Sequence, residues 1–308
     1  MILHYVRLSR FPKVFQSMTG LRVAEFDQLA DELQPAYTNA EQKRLSRPNR
    51  QRAIGGGRRY ELSFVNQLLL TLIWLRLYPT HETLGYLFEV SDSTARRALI
   101  GLLPLLEKSG RDTMRLPDPG KHKRRSLDAL LNDLPDLMVV IDTFEQRVQR
   151  PRDRHAADRY YSGKKKQHTL KSQVAINEAT GEIVDVSDSV HGPTADISLL
   201  EQSGLLTRLP EGVGGMGDLA YMGIAKLHPL GLGATPRRKP RGQPRPVEDV
   251  AFNTAFARRR IGVEHTLCRM RRYEALTHTD RHHRRGHAAR VVSVAGLVNR
   301  QIRHRILN

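Results

Sequence analysis

The sequence LMVVID at residues 137–142 places five apolar side chains directly before a carboxylate, Asp142. A continuous apolar run of this length, following the turn-forming Leu134-Pro135-Asp136, is typical of a β-strand that is buried on both faces. We therefore expect Asp142 at the C-terminal end of this strand, where functional groups collect in open α/β sheets. An aspartate at a strand end can equally cap the following turn, so Asp142 alone does not establish a site.

Further strands are indicated downstream of this run. Residues 168–176 and 183–190 have the residue types and alternation of strands, and the turn-forming residues 177–181 between them predict a hairpin. Helical periodicity follows at residues 195–204, 253–273 and 288–306. The pattern favours an α/β fold in which helices flank a mixed sheet of at least three strands.

The N-terminal part of the chain has helical patterns only. Helices are predicted at residues 23–33, 63–78, 81–88 and from Ser91 onward. A tight turn joins the last two, and Arg96 and Arg97 stand near the start of the final one. This arrangement is typical of a helix-turn-helix that reads the major groove of DNA. A helical bundle used for dimerisation has the same apolar pattern and stays open as an alternative.

Composition divides the chain into four predicted parts. A helical and basic segment at 1–60, which ends in the glycine-rich joint at 55–59, precedes the all-α helix-turn-helix region at 61–110. A linker at 111–135 follows, with Pro117, Pro119 and Gly120, a basic run at 121–125 and a short helix at 127–131. The α/β domain is predicted at 136–308.

The formal charge of +18, from 50 Lys and Arg against 32 Asp and Glu, indicates a polyanionic partner. Nucleic acid is the leading candidate. Membrane binding is disfavoured because the longest apolar stretch, residues 68–78, is far short of the roughly 20 residues that a spanning helix needs. The first residues lack the apolar core of a secretory signal, and the single Cys268 fits a reducing compartment. We expect a cytoplasmic, nucleoid-associated protein.

Two further carboxylates accompany Asp142. Asp218 opens the segment DLAYMG after a glycine-rich stretch, and Glu264 lies on the long helix predicted at 253–273. A glutamate among arginines is usually an ion-pair partner, here of Arg260 one turn earlier. Three converging carboxylates, however, supply the oxygen ligands that suit Mg²⁺ or Mn²⁺, and they suffice to hold two ions beside a phosphate.

These residues resemble the bacterial insertion-sequence transposases of the DDE superfamily, in the branch related to the Harbinger nucleases. The resemblance spans nearly the whole chain and is carried by VIDTFE at 140–145 with QRP at 149–151, YSGKKKQHT at 161–169, GDLAYMG at 217–223 and RIGVEH at 260–265. Arg260 matches an arginine of the family's last motif. Arg271 replaces the family's lysine seven residues after the glutamate, and Ala257 replaces its tyrosine.

The resemblance implies an RNase H-like fold with the first aspartate on the first strand, the second after the fourth strand and the glutamate on a later helix. It implies that Asp142, Asp218 and Glu264 are catalytic and bind the metal ions. The implied activity is hydrolysis of phosphodiester bonds at transposon ends, followed by transfer of the 3′-OH strand to target DNA. The implied partners are double-stranded terminal inverted repeats and target DNA, bound by a homodimer.

Several other residues are candidates for DNA contacts or for the metal site. The expected DNA contacts are Arg96, Arg97, Lys164, Lys165, Lys166, Arg237, Arg238, Lys239, Arg260 and Arg271. Glu145 is either a fourth metal-site carboxylate or the ion-pair partner of Arg147. The histidines at 278–287 lack the companion cysteines of a zinc site. A regulator that binds DNA without catalysis and an RNA-processing nuclease of the same fold remain rival interpretations.

Overall fold

The computed structural model describes residues 2–46, 62–120, 131 and 134–306. The glycine-rich joint at 55–59, the basic run at 121–125 and most of the short helix predicted at 127–131 lie outside these ranges. Within them, an all-helical part precedes a mixed α/β part, which confirms the predicted fold class. No helix of the described ranges is long and apolar enough to cross a membrane.

Among the described residues, six α-helices form the N-terminal part. They are α1 (Tyr5–Leu8), α2 (Pro12–Thr19), α3 (Val23–Leu45), α4 (Phe64–Leu77), α5 (His81–Phe88) and α6 (Asp92–Thr113). The predicted end of α3 at residue 33 is wrong, because the helix continues through Pro35. Tertiary contacts outweigh the lost hydrogen bond there: the Tyr37 ring packs 4.7 Å from that of Phe64, and its hydroxyl accepts a 2.9 Å bond from Gln67.

The helix-turn-helix region folds as its capping residues predict. The side chains of Ser63, Thr80 and Ser91 each accept a hydrogen bond from a backbone N–H at the start of the helix that follows. Thr80 therefore starts α5, and Ser91 starts α6. Helix α6 continues to Thr113, three residues beyond the end predicted for this region.

In the part of the chain that the structure describes, seven strands form one sheet. They are β1 (Leu137–Arg147), β2 (Tyr161–Ser162), β3 (Gln167–Asn177), β4 (Ile183–Val186), β5 (Val190–His191), β6 (Val213–Met216) and β7 (Gly233–Ala234). The central order is β3-β1-β6-β7, and β2, β4 and β5 pair with the outer edge of β3. Strand β3 is antiparallel to β1, whereas β6 and β7 run parallel to it. The strand predicted at 183–190 is thus two short strands, β4 and β5.

Six α-helices of residues 134–306 accompany the sheet. They are α7 (Arg154–Tyr160), α8 (Asp196–Ser203), α9 (Leu205–Arg208), α10 (Ile224–Leu227), α11 (Val247–Arg271) and α12 (His287–Ile306). Helix α11 starts six residues before its predicted first residue, at the end of residues 234–247, a stretch rich in proline and arginine that predicts a loop. Glu248 and Asp249 in its first turn stabilise this early start, because carboxylates interact favourably with a helix N-terminus.

The two faces of β1 pack against different layers. Met138, Val140 and Phe144 belong to a core shared with α11, α12 and the N-terminal helices, whereas Val139 and Ile141 belong to a smaller core under α8, α9 and α10. Helices α6 and α12 touch at two glycines, since a Cβ on Gly296 would lie 2.4 Å from the Cα of Gly110. The helix-turn-helix region and the α/β part therefore share one core.

Candidate active site

Strand β1 does not end at Asp142, as its apolar run predicts, but continues for five residues to Arg147. The extension is held by antiparallel pairing with β3, and it buries Phe144 and Gln146. What ends near Asp142 is the neighbouring strand: the parallel pairing of β1 with β6 stops at Val140 and Met216. Asp142 thus lies in a continuous strand, beside the end of β6.

The register of this pairing brings the two aspartates to the same level. Asp142 follows Val140 by two residues and Asp218 follows the paired Met216 by two residues, so the sheet alternation predicts the same face for both. Gly217 stands between Met216 and Asp218 and lets the chain turn tightly, because a Cβ there would lie 2.5 Å from the Tyr221 ring. Asp218 then caps the 3-10 helix Leu219–Tyr221.

Each aspartate is oriented through one oxygen. The Oδ1 atom of Asp142 accepts a 2.8 Å hydrogen bond from the Thr143 N–H, and that of Asp218 accepts a 2.9 Å bond from the Ala220 N–H. Within the described ranges, the second carboxylate oxygen of each residue accepts no hydrogen bond. Both aspartates therefore keep one oxygen free for a ligand.

Glu264 lies on α11, the helix that packs over β1 and β3. Its neighbour Val263 is buried in the core, while Glu264 itself is exposed. Among the described residues, Glu264 makes no ion pair with Arg260, the partner expected if its role were structural. The nearby bidentate pair is that of Arg259, whose Nε and Nη2 donate to Glu178 at 2.6 Å each. Glu264 is left available to the site.

The carboxylates act on one another electrostatically. Burial, together with the charges of Glu264 and Asp218, raises the pKa of Asp142 to about 6 against the opposing effects of the Thr143 N–H and of Arg260. The anionic form of Asp142 is therefore disfavoured in this structure. A cation among the three carboxylates would reverse that balance.

This balance gives a prediction for Asp142→Asn. The pKa of Asp142 is higher in the folded chain, about 6, than in the unfolded chain, so its effect on stability becomes unfavourable as pH rises from about 4 to about 6. Asparagine keeps the bond from Thr143 and carries no charge. In EDTA at pH 7.5, we expect urea unfolding to show a gain of about 1–2 kcal/mol that disappears at pH 4. A less stable variant at pH 7.5 would contradict this reading of the site.

The donor set suits a hard divalent cation, because all three side chains supply oxygen and two oxygens are free. As they stand, however, the described residues contain no group of three acidic, histidine or cysteine side chains close enough to coordinate one ion. Asp218 and Glu264 are near enough for their charges to raise the pKa of Asp142, but the three carboxylates do not converge on one point. The residues fit such an ion in the chemistry of their donor atoms.

The expected DNA-contacting residues differ in their surroundings. Lys164, Lys165 and Lys166 are exposed in the tight turn between β2 and β3. Arg96, Arg97, Arg238, Lys239 and Arg271 are also exposed. Arg260 is partly buried and acts on Asp142.

Arg237 contacts three residues of helix α11. It lies 3.2 Å from Asp249 and stacks 4.2 Å from the centre of the Phe252 ring, and its backbone pairs with Asn253. Arg237 therefore anchors the basic loop that carries Arg238 and Lys239.

Glu145 has a partner that neither prediction anticipated. It accepts a 2.6 Å bond from the Thr169 hydroxyl and lies 3.9 Å from Lys171, which in turn pairs with Asp196 at 2.6 Å. Strand alternation places Glu145 on the face of β1 opposite to Asp142. It belongs to a buried charged group under α8, and its predicted pairing with Arg147 is wrong.

The histidine-rich segment connects the two parts of the chain. His287 is buried between the Ser189 hydroxyl at 2.6 Å and the Gln146 side chain at 2.8 Å, and burial lowers its pKa to about 4. His282 packs 4.9 Å from Trp74 of α4. Asp280, buried in an ion pair with Arg290, accepts a 3.3 Å bond from the Tyr78 hydroxyl. These residues hold the helix-turn-helix region against the end of β1.

Three polar residues of the α/β part received no role from the sequence. Lys171 and Asp196 form the buried pair described above, and Tyr221 is fully buried beside Asp218. A lysine in the middle of a predicted strand is a signal that could have indicated the first pair. Tyr221 stands within the quoted segment GDLAYMG, where only the aspartate received a role.

Comparisons with known proteins match both parts of the chain. Residues 141–299 match the family described as DDE superfamily endonuclease, and residues 60–112 match the helix-turn-helix of DDE superfamily endonuclease. A "Probable transposase for insertion sequence element IS702" from Microchaete diplosiphon is 27% identical over 288 residues, which cover 94% of each chain. No solved structure matches the chain. Asp142, Asp218 and Glu264 all fall within the first of these matched ranges.

Proposed function

The chain belongs to the DDE superfamily endonucleases, and from that premise we propose that it is a DNA transposase. It hydrolyses phosphodiester bonds at the ends of an insertion sequence and transfers the freed 3′-OH strand to target DNA. The observation that carries this proposal is the pairing of Val140 with Met216, which stand two residues before Asp142 and Asp218, together with the charges of Asp218 and Glu264 that raise the pKa of Asp142.

In this proposal, Asp142, Asp218 and Glu264 hold Mg²⁺ or Mn²⁺, in one or two ions. When bound, such ions activate the attacking hydroxyl and stabilise the leaving oxygen of a phosphodiester. The chain's own contribution is orientation: the N–H groups of Thr143 and Ala220 each hold one oxygen of an aspartate in place. Arg260 adds a positive charge close to Asp142 that can attract a DNA phosphate.

Substrate DNA is bound by the exposed basic residues. The formal charge of +18 favours phosphate contacts of any sequence, while α6 supplies base contacts. Lys164, Lys165, Lys166, Arg238, Lys239 and Arg271 are the exposed candidates of the α/β part. We propose that a homodimer holds the two terminal repeats in the nucleoid, where both repeats and target DNA are available.

The test is nicking of a labelled duplex that carries a terminal repeat of the element, measured beside binding to the same duplex. Metal-dependent nicking at the repeat boundary is the expected result. Binding without nicking under any divalent metal would identify a DNA-binding regulator instead. Preferential cleavage of a matched RNA duplex would favour the RNA-processing nuclease.

The recognition helix gives a separate prediction. Replacing both Arg96 and Arg97 with Ala is expected to weaken binding to the terminal repeat by on the order of 2–4 kcal/mol, because each base contact is worth about 1–3 kcal/mol. Both side chains are exposed on α6 and support no core packing, so the fold should be unaffected. Gel-shift titration at fixed salt measures the change.

Arg111→Ala is the matched control for this experiment. Arg111 is also an exposed arginine of α6, but it lies in the last turn and pairs with Glu107 at 3.0 Å. Its replacement should leave binding unchanged. Unaltered binding by the Arg96 and Arg97 double variant would remove α6 from the role of recognition helix.

A further inference from the structure

Two large apolar side chains are exposed on the turn that follows Asp218. Leu219 is 43% exposed and Met222 is 50% exposed. Leu219 opens the 3-10 helix that Met222 caps, and side chains three residues apart in such a helix lie on the same side. Single exposed apolar residues are ordinary on a protein surface, but two neighbours on one turn beside a candidate active site require an explanation.

This turn is fixed to the sheet. The Asp218 carboxylate accepts a 2.9 Å bond from the Ala220 N–H, and the Asp218 carbonyl accepts a 3.0 Å bond from the Tyr221 N–H. The Tyr221 side chain is 0% exposed and belongs to the core under α8, α9 and α10. Tyr221 therefore anchors the turn, while the two apolar side chains on it remain in contact with solvent.

The chain that follows the turn is suited to a polyanion. Residues 219–247 contain no aspartate or glutamate, and they contain six basic residues, which are Lys226, Arg237, Arg238, Lys239, Arg241 and Arg245. Lys226 is exposed in α10, four residues after Met222. In sequence, the two apolar side chains thus stand between a carboxylate that suits a divalent cation and a stretch that attracts phosphates.

DNA bases are the occupant that this position favours. The Cα atoms of Asp218 and Leu219 are about 3.8 Å apart, as in any trans peptide, and one nucleotide spans about 3.4 Å of the duplex axis. A scissile phosphate at the carboxylates therefore brings a flanking base close to the turn. Apolar side chains at such positions insert between base steps and unstack them. A second copy of the chain is disfavoured, because two side chains fall far short of the roughly 800 Å² per partner that a stable interface buries.

We propose that Leu219 and Met222 form an apolar wedge, which inserts against the base pair next to the scissile phosphate and keeps it unpaired during cleavage. This inference rests on the proposed function. A paired duplex is stiff over many base pairs, whereas a locally unpaired strand can bring its phosphate to Asp142 and Asp218, which are both only partly exposed. The wedge contacts the substrate and positions it, and it holds no metal ion.

The double variant Leu219→Ala, Met222→Ala in the full-length protein tests the wedge on two versions of the labelled terminal-repeat duplex. One is fully paired, and the other carries mismatches next to the cleavage position. On the paired duplex we expect nicking about 10- to 100-fold slower than in the wild type, because apolar contacts no longer offset the free energy of unstacking. The mismatched duplex is already unpaired, so the double variant should cut it at close to the wild-type rate.

A fluorescent base analogue reports the unpairing directly. Aminopurine placed next to the cleavage position becomes brighter when it leaves the base stack. Measurement in a Glu264→Gln background with Mg²⁺ should keep the duplex intact, because that change is expected to stop cleavage and to preserve binding. At equal occupancy of the duplex, binding should raise the fluorescence when Leu219 and Met222 are present and leave it unchanged when both are alanine.

Leu230→Ala is the matched control. Leu230 is 60% exposed in the turn before β7, and this turn adjoins the start of β6, where the His228 side chain lies 3.0 Å from the Val213 carbonyl. Asp218 follows the opposite end of β6, so this variant should nick both duplexes like the wild type. Met222→Leu keeps an apolar side chain of similar volume and should also nick the paired duplex normally.

The remaining outcomes separate the two proposals. Wild-type nicking together with an unchanged rate in the double variant would overturn the wedge and leave the proposed function standing. Equal losses on both duplexes would show that the two side chains support the fold or another contact, and would also overturn the wedge. A dimer that dissociates in the double variant, as measured by sedimentation, would identify a second copy as the occupant instead. A wild type that nicks neither duplex with Mg²⁺ or Mn²⁺ would overturn the proposed function together with this inference.

Discussion

Replacing Asp142 with Asn, Asp218 with Asn or Glu264 with Gln is expected to reduce strand cleavage on the order of 10³-fold, beyond the 10- to 100-fold typical of residues that only orient a ligand. Each change keeps the shape of the side chain and removes one negative charge. Because the three carboxylates serve as one unit, the effects should be non-additive, and the triple variant should lose little more than any single one.

Binding measured on the same preparations distinguishes a catalytic role from a structural one. DNA binding should persist or tighten in EDTA, since each change removes a negative charge from a surface that must accept phosphates. Glu248→Gln is the matched control, because Glu248 is an exposed glutamate in the first turn of the same helix as Glu264. Its cleavage rate should equal that of the wild type.

Two results would contradict the assignment. Near-normal cleavage by Glu264→Gln would leave that residue as a surface charge of α11. Loss of binding together with cleavage would mean that the carboxylates support the fold, against the stability gain expected for Asp142→Asn.

Removing divalent metal is expected to abolish cleavage altogether. The site offers only carboxylate oxygens, so Mg²⁺ or Mn²⁺ should support nicking, and EDTA should stop it while leaving DNA bound. Excess Mg²⁺ added after EDTA should restore the original rate, which controls for irreversible damage to the protein. The measurement is the nicking rate of the labelled duplex at each step. Nicking that continues unchanged in EDTA would exclude carboxylate-held metal chemistry.

Much of the fold can be predicted from the sequence because it depends on local patterns. The apolar run at 137–141 predicts a buried strand, and the residues of β3 and β4 predict a hairpin, because alternation and turn residues act over a few positions. Ser63, Thr80 and Ser91 mark the starts of three helices because their side chains bond to the backbone nearby. Asp142, Asp218 and Glu264 could be selected as site candidates for a related reason, since each stands inside a short motif.

The C-terminal end of β1 could not be predicted from the sequence in this way. Residues 143–147 lack an apolar run and form a strand only because β3 pairs with them across a distant part of the sequence. The position at which β6 ends, close to both Asp142 and Asp218, is likewise decided by strand pairing. Local periodicity assigns a residue to a face but cannot show where a neighbouring strand stops.

The side-chain contacts show most clearly which features follow from the sequence and which depend on the tertiary structure. The sequence by itself determined the α/β class, the helix-turn-helix and the three candidate carboxylates, because these depend on residue type and short spacing. Only the tertiary structure paired Glu145 with Thr169 and Lys171 and anchored Arg237 to Asp249. These contacts join residues that are 12 to 26 positions apart, and which charges meet is decided by the packing of whole strands and helices.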